Sequence, residues 1–272
     1  MLYYRVALDV PRPLLLKVSR LLAAHRKDIG TRSGTRALTC RQQAKFILAW
    51  FRDKADIRRL GQGFGISQAT AYRYKDEGVA VLAAQAPTLK EALEKAAEQG
   101  LPFTVLDGTL ISSDRCADKK TSRKGAEIDK WHTGKAHEHA GLVQGLTSPS
   151  GIPLWVSGVM PGSTHDITAA RELVLPGLRP WLDRIPCLAD SGCEGAGKGV
   201  LVPVKKPRKG DLDINAKTRN MLLRGTRYQG ERGFAVMKER WTALQHVTVD
   251  PGQIGDIAKA SLVLTQIEHK MI

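Results

Sequence analysis

Two apolar runs of strand length in this chain each end on a lone aspartate, and this pattern constrains the fold most. Phe-Thr-Val-Leu at 103–106 precedes Asp107, and Pro-Cys-Leu-Ala at 186–189 precedes Asp190. Short apolar runs predict buried strands, where an unpaired charge is costly. Taken alone, either aspartate is equally explained as a turn or capping residue. A third carboxylate, Glu231, lies in a basic helical segment, and the combination favours a shared site.

Carboxylates at two strand ends and on a later helix can converge on a divalent ion. Mg²⁺ prefers oxygen ligands, and two such ions can clamp the attacking and leaving oxygens of a phosphodiester. The chain has 27 acidic residues, so spacing alone would not distinguish these three from the others. They are distinguished by their local sequences, which are two apolar runs and a basic helical segment. We therefore predict two Mg²⁺ ions, replaceable by Mn²⁺, at Asp107, Asp190 and Glu231.

The charge of the chain agrees with a polyanionic partner. There are 42 Lys and Arg residues against 27 Asp and Glu residues, a formal net charge of +15. Such an excess favours salt-sensitive binding to DNA, although a soluble basic protein without that function is the alternative. No apolar stretch reaches the ~18 residues of a membrane span, and no signal-peptide pattern is present. We expect a cytoplasmic, nucleoid-associated protein with no membrane partner.

The four cysteines show no Cys-x-x-Cys spacing, which favours reduced thiols. Cys116 and the nearby histidines match no common zinc pattern.

The first hundred residues predict helices only. Residues 1–38 contain a basic amphipathic helix, and residues 39–86 predict a helix-turn-helix domain with Thr39 and Ser67 as N-caps. The N-terminal residues of its last helix are expected to reach base edges in the major groove: Gln68, Thr70 and Arg73. Tyr74 and Lys75 are expected nearer the DNA backbone, and Ala69, Tyr72 and Val79 in the core. A helical packing or dimerisation module is the alternative.

Residues 87–100 predict a helical linker, and residues 101–272 predict a mixed α/β domain. A strand at 103–111 is followed by a hairpin around Ser148-Pro149-Ser150-Gly151, a helix from His165, further strands, and two late helices. This order of antiparallel strands, a helix, more strands and late helices is that of a ribonuclease H-like fold.

Four segments carry a resemblance to a known family. They are Val-Leu-Asp-Gly-Thr-Leu-Ile at 105–111, Pro-Gly-Ser-Thr-His-Asp at 161–166, Leu-Ala-Asp-Ser-Gly-Cys-Glu-Gly at 188–195, and Gly-Glu-Arg at 230–232. In this order they resemble the signatures of bacterial IS5-type transposases of the DDE superfamily. The resemblance runs from about Thr39 to the C-terminus. It implies a ribonuclease H-like core with Asp107, Asp190 and Glu231 as the metal-binding triad. Ser191-Gly192-Cys193 replace the Lys-Gly-Tyr common in that family.

Further residues are candidates for DNA contacts. Arg227, Glu231 and Lys238 fall within about 40° on one helix face, and this spacing is also similar to the helix signature of related DDE transposases. The basic residues of loops and of this helix form the predicted phosphate-binding set: Lys135, Lys205, Lys206, Arg208, Arg227 and Lys238. Exposed loops without a ligand are the alternative. His165 and Asp166 are candidates for an auxiliary role, with helix capping as the alternative for Asp166.

The sequence thus predicts an insertion-sequence transposase that binds the terminal inverted repeats of its element and target DNA as a homodimer or higher oligomer. It would cut and join strands through the three carboxylates. Two alternatives stay open: a ribonuclease H-like nuclease without strand transfer, and a DNA-binding relic or regulator that no longer cleaves.

Overall fold

The computed structural model of the protein describes residues 8–121, 125–134, 136–207 and 210–271. For residues 229–231 it describes the backbone of a helix but not the side chains.

In the described part of the chain, which begins at residue 8, five helices precede the first strand. They are α1 (Arg12–Asp28), α2 (Cys40–Asp53), α3 (Ile57–Gly63), α4 (Gln68–Ala83) and α5 (Leu89–Glu98). N-terminal capping explains where several of these helices begin. Thr39 and Gln42 form a capping box at α2, and Thr88 and Glu91 form another at α5. Glu91 is thus a capping residue, and the i,i+4 ion pair of α5 joins Lys90 to Glu94.

Helices α3 and α4 are joined by a tight turn in which Gly65 has φ +68°. Glycine adopts this conformation without steric cost. Ser67 then caps α4 by accepting a hydrogen bond from the backbone N–H of Thr70. The predicted core face of α4 was partly wrong. Val79 is buried, but Ala69 and Tyr72 are exposed, and Tyr74 and Lys75 are buried instead. These two pack inward because α4 is covered by neighbouring helices on that side.

Nine strands occur among the described residues. The long ones are β1 (Thr104–Ser113), β5 (Glu138–Thr147) and β6 (Pro153–Pro161). The short ones are β2 (Lys119–Thr121), β3 (Glu127–Asp129), β4 (His132–Thr133), β7 (Cys187–Ala189), β8 (Val200–Leu201) and β9 (His246–Val247). The hairpin predicted at residues 148–151 joins β5 to β6.

The main sheet is mixed, with β1 at its centre. Strand β5 pairs antiparallel with β1 and carries β6 and β4 on its other edge. On the opposite side of β1, β7 and β9 pair parallel with it, and β8 pairs parallel with β7. The order across the centre is therefore β6-β5-β1-β7-β8. The pair β2–β3 forms a separate small hairpin.

The α-helices that the structure describes after the hairpin are α6 (Asp166–Leu173), the single turn α7 (Leu175–Leu178), α8 (Ile214–Arg240) and α9 (Ile254–Glu268). Helix α8 runs through Gly225 and Gly230 as one α-helix. Its second half packs on the sheet, and tertiary packing outweighs the modest helix propensity cost of glycine.

One apolar core joins the N-terminal helices to the sheet and the last helices. It includes Leu48 and Phe51 of α2, Trp241 at the end of α8, and Leu264 of α9. Helix α4 lies along α9. Arg240 ties the two regions at the surface, because its guanidinium binds Asp9 and Glu268. Within the described ranges, no helix is long and apolar enough to cross a membrane.

Candidate active site

The strand register places Asp107 and Asp190 side by side. Leu106 of β1 pairs with Ala189 of β7 in parallel register, so the next residues on the two strands are Asp107 and Asp190. The sequence predicted that an apolar run ends at each aspartate and that the first strand spans residues 103–111. The structure confirms that strand, since Asp107 lies within β1 (Thr104–Ser113), whereas Asp190 directly follows the end of β7. Strand β5 pairs along the part of β1 beyond Asp107 and satisfies its backbone groups.

Two glycines make room for the carboxylates. A Cβ on Gly192 would lie 2.9 Å from Asp190 Oδ1 and 3.3 Å from Asp166 Oδ2. A Cβ on Gly108 would lie 2.7 Å from Asp166 Oδ1. The carboxylate of Asp166, the first residue of α6, therefore sits between the β1 strand and the turn that follows β7. The backbone N–H of Gly192 also donates to Asp190 Oδ1 at 2.9 Å and fixes that side chain.

A buried amide faces the same space. Gln144 of β5 pairs with Gly108 in the antiparallel register, and its side chain is fully buried. Its Nε2 lies 2.7 Å from the position of a Cβ on Gly108, next to Asp166 Oδ1. Neither side-chain polar atom has a hydrogen-bond partner among the described residues. Buried polar groups are usually hydrogen-bonded. The unpaired amide of Gln144 is therefore an exception within the described part of the chain, and it makes the interior polar at this point of the sheet.

Three carboxylates converge near the thiol of Cys193. Burial, together with the negative charges of Asp190, Asp166 and Asp107, raises the pKa of this thiol to about 12. Cys193 was not among the residues that the sequence predicted for the site. The only available signal was its position three residues after Asp190, in the segment where this chain departs from the family pattern.

Helix α8 crosses over the Asp107 strand and brings two cations to it. Arg227 Nη1 lies 3.9 Å from Asp107 Oδ1, and both side chains are about one-fifth exposed, at 21% and 19%. Lys238 Nζ donates to Thr109 Oγ1 at 2.8 Å and to the carbonyl of Leu110 at 2.7 Å. Burial lowers the pKa of Lys238, and the charges of Glu138 and Asp107 oppose that shift. Glu231 belongs to α8 between these two residues, and its side chain lies outside the described part of the structure.

The donor set fits a hard divalent cation. Asp107 and Asp190 offer carboxylate oxygens from adjacent strands, with space preserved by glycine at positions 108 and 192. Within the described ranges, no group of three or more His, Cys, Asp and Glu residues is close enough to hold a metal ion. Glu231, whose side chain lies outside the described part of the structure, is the third ligand that the sequence predicts.

The other predicted residues lie in three places. Gln68 and Arg73 are exposed at the start of α4, and Thr70 bonds to Ser67. His165 is the exposed N-cap residue of α6 and makes no capping hydrogen bond with its side chain. Lys205 pairs with Glu194 at 2.6 Å, and Lys206 pairs with Asp211 at 3.6 Å. Two further predicted phosphate contacts lie outside the described residues: Lys135 and Arg208.

Comparison with known proteins agrees with this arrangement. A family model described as DDE superfamily endonuclease matches residues 106–266, well over half of the chain. The match spans both aspartates, Asp166 and the whole of α8. No curated protein and no solved structure matches the chain. Because the family model covers the strand register, the aspartates and the long helix together, the chain belongs to the DDE superfamily of endonucleases.

Proposed function

We propose that the protein is an insertion-sequence transposase of the IS5 type that cuts and joins DNA strands with Asp107, Asp190 and Glu231. The observation that carries the proposal is the parallel register of Leu106 with Ala189, which sets the two aspartates side by side within the matched endonuclease region. The strand order β6-β5-β1-β7-β8 around a central β1 supports a ribonuclease H-like core.

The three carboxylates would hold two Mg²⁺ ions. Bound there, such ions stabilise the attacking and leaving oxygens of a phosphodiester. The residues of the chain supply orientation and charge balance. Gly192 N–H holds Asp190 in place, and Arg227 lies beside Asp107. Lys238 fixes β1 just beyond Asp107 through Thr109 and Leu110. Asp166 is proposed as an auxiliary acid that positions the turn after β7.

Recognition of DNA ends is proposed for the α3–turn–α4 unit. Gln68 and Arg73 are exposed in the first two turns of α4, whereas Tyr74 and Lys75, which follow Arg73 directly, are buried. A helix-turn-helix presents the N-terminal residues of its second helix in this way. The bound DNA would be the terminal inverted repeats, and cutting both ends would require a dimer or higher oligomer.

The test uses DNA that carries the sequences flanking the gene, incubated with the full protein and Mg²⁺. Asp107→Asn, Asp190→Asn and Glu231→Gln should each abolish cleavage and leave binding intact, because amides are poor ligands for Mg²⁺ while the shape is kept. Mn²⁺ should replace Mg²⁺, and Ca²⁺ should support binding with little cutting. Near wild-type cleavage by any one amide variant removes that residue from the site.

The products separate transposition from simple hydrolysis. A transposase yields DNA in which a 3′ end has been joined to a new strand, detectable as larger products on a denaturing gel. Cleaved ends without joined products would identify a nuclease that lacks strand transfer. Cleavage that persists in excess EDTA would contradict the metal-dependent proposal.

A further inference from the structure

The first half of α8 exposes an unusual amount of apolar surface. Ile214, Met221, Leu222 and Tyr228 are exposed by 81%, 65%, 62% and 66% of their surface. Single exposed apolar residues are ordinary, but several together indicate a contact surface. The exposed face of residues 214–228, with these four apolar residues at its centre, is called here the α8 face.

Three of the four apolar residues form a stripe along the α8 face. Ile214, Met221 and Tyr228 are seven residues apart, which places them within about 40° of one another around the helix, and Leu222 lies about 100° from Met221. Beside the stripe, Asn220 holds the segment after β8 against the helix by two hydrogen bonds with Val204, each 2.8 Å long. A groove of about 300 Å³ lies on this part of the helix, lined by Leu212, Lys217, Asn220, Met221 and Arg224.

The charges of residues 214–228 indicate which kind of molecule the α8 face binds. From Ile214 to Tyr228 the charged residues are all cationic, and they are Lys217, Arg219, Arg224 and Arg227. A second copy of the same face would bring like charges together, which is unfavourable. Phosphates are complementary to such a face. Apolar side chains flanked by cations are also found where proteins insert wedges between base steps or stack side chains on bases.

The α8 face adjoins the candidate active site. Arg227, which lies 3.9 Å from Asp107, precedes Tyr228 directly. At ~1.5 Å per residue, the helix carries the stripe roughly 20 Å from Arg227 back to Ile214. At ~3.4 Å per base pair this length corresponds to about six base pairs.

We propose that the α8 face binds DNA next to the scissile phosphate, with its cations on the backbone and Met221, Leu222 and Tyr228 against partly unstacked bases. The inference rests on the proposed nuclease function and deepens it, because it assigns the protein a means of opening the duplex at the place of cutting.

Permanganate footprinting tests the proposal even where the cut site has not been mapped, since the reagent oxidises unstacked thymines wherever they occur. The probe is the duplex carrying the gene-flanking sequences, with full-length protein and Ca²⁺. Wild type should make a cluster of thymines reactive. The Met221→Ser, Leu222→Ser, Tyr228→Ser triple variant should lose that reactivity and bind on the order of tenfold more weakly. Arg219→Gln with Arg224→Gln should instead lower the salt slope by about two.

Ile29→Ser is the matched control, because Ile29 is an apolar residue that is 53% exposed at the C-terminal end of α1 and does not belong to α8. This variant should behave as wild type. A triple variant that melts like wild type and still unstacks the same thymines overturns the inference. So does a triple variant that loses only self-association in sedimentation, since the α8 face would then be a dimer contact. Wild-type protein that binds no DNA contradicts the proposed function itself.

Discussion

Glycine at positions 108 and 192 sets the geometry of the candidate site at the scale of single residues. Gly108→Ala would place a Cβ 2.7 Å from both Asp166 Oδ1 and Gln144 Nε2, and Gly192→Ala would place one 2.9 Å from Asp190 Oδ1. Each added methyl must displace a carboxylate. Because a shift of about 1 Å can cost a hundredfold in rate, we expect cleavage to fall by about that factor while DNA binding persists.

Gly158→Ala is the control for this prediction. Gly158 lies in β6, and a Cβ there would meet no described atom within 4 Å. Cleavage rates measured in parallel on the three variants should separate the first two from the third. Equal rates in all three would show that the carboxylates tolerate the added methyl groups.

The thiols give a second prediction at this scale. Burial raises the pKa of both Cys187 and Cys193 to about 12. Cys40 and Cys116 are only half-buried. Since the thiolate is the reactive form, Ellman's reagent at pH 8 should label two thiols quickly and the other two only after unfolding. Cys40→Ser with Cys116→Ser should remove the fast phase. Fast labelling of all four thiols in wild type would contradict the burial of Cys187 and Cys193.

These thiols also make stability depend on pH. In the unfolded chain they ionise around pH 9.0, and in the folded protein around pH 12. Folding therefore holds their protons more tightly. This contribution is fully present below pH 9.0 and is lost as the pH rises towards 12.

At the scale of elements, we expect helix α4 to contact base edges and the segment after β8 to contact the DNA backbone. Arg73 is exposed at the start of α4, whereas Lys206 is 67% exposed in a loop segment. Arg73→Ala should cost about 1–3 kcal/mol on the inverted repeat and little on random DNA. Lys206→Ala should weaken binding to all sequences alike and flatten the salt dependence by about one ion.

Salt titrations on the two kinds of DNA measure this difference. Ala80 is exposed on α4 towards its C-terminal end, so Ala80→Ser is a neutral control on the same helix. If Arg73→Ala leaves the preference for the inverted repeat unchanged, sequence recognition lies outside α4.

At the scale of the whole molecule, the N-terminal helices and the sheet share one core. Phe51 is fully buried, and its ring lies 4.9 Å from that of Trp50 and 6.4 Å from that of Trp241. Phe51→Ala should cost about 3–5 kcal/mol. Because the core is continuous, we expect the loss to accelerate global hydrogen exchange in β1 and β5 as well as in α2. Faster exchange confined to α2 would show that the N-terminal helices unfold separately.

Much of the architecture is determined by local sequence. Capping by Thr39 and Ser67 and the hairpin at residues 148–151 depend on neighbours in the chain, and the structure confirms them. The superfamily is also determined locally, since the motif around Asp107 and that around Asp190 lie within the matched region.

Tertiary structure decided those features that depend on contacts between residues far apart in the chain. Whether Tyr74 and Lys75 point inward depends on the helices that cover α4. The approach of Asp166 to Asp190 and the burial of Gln144 arise from three separate elements. The sequence by itself determined which residue types this protein brings to its site. Only the fold decided which of them meet, because contacts between residues far apart in the chain depend on strand register and packing rather than on local preference.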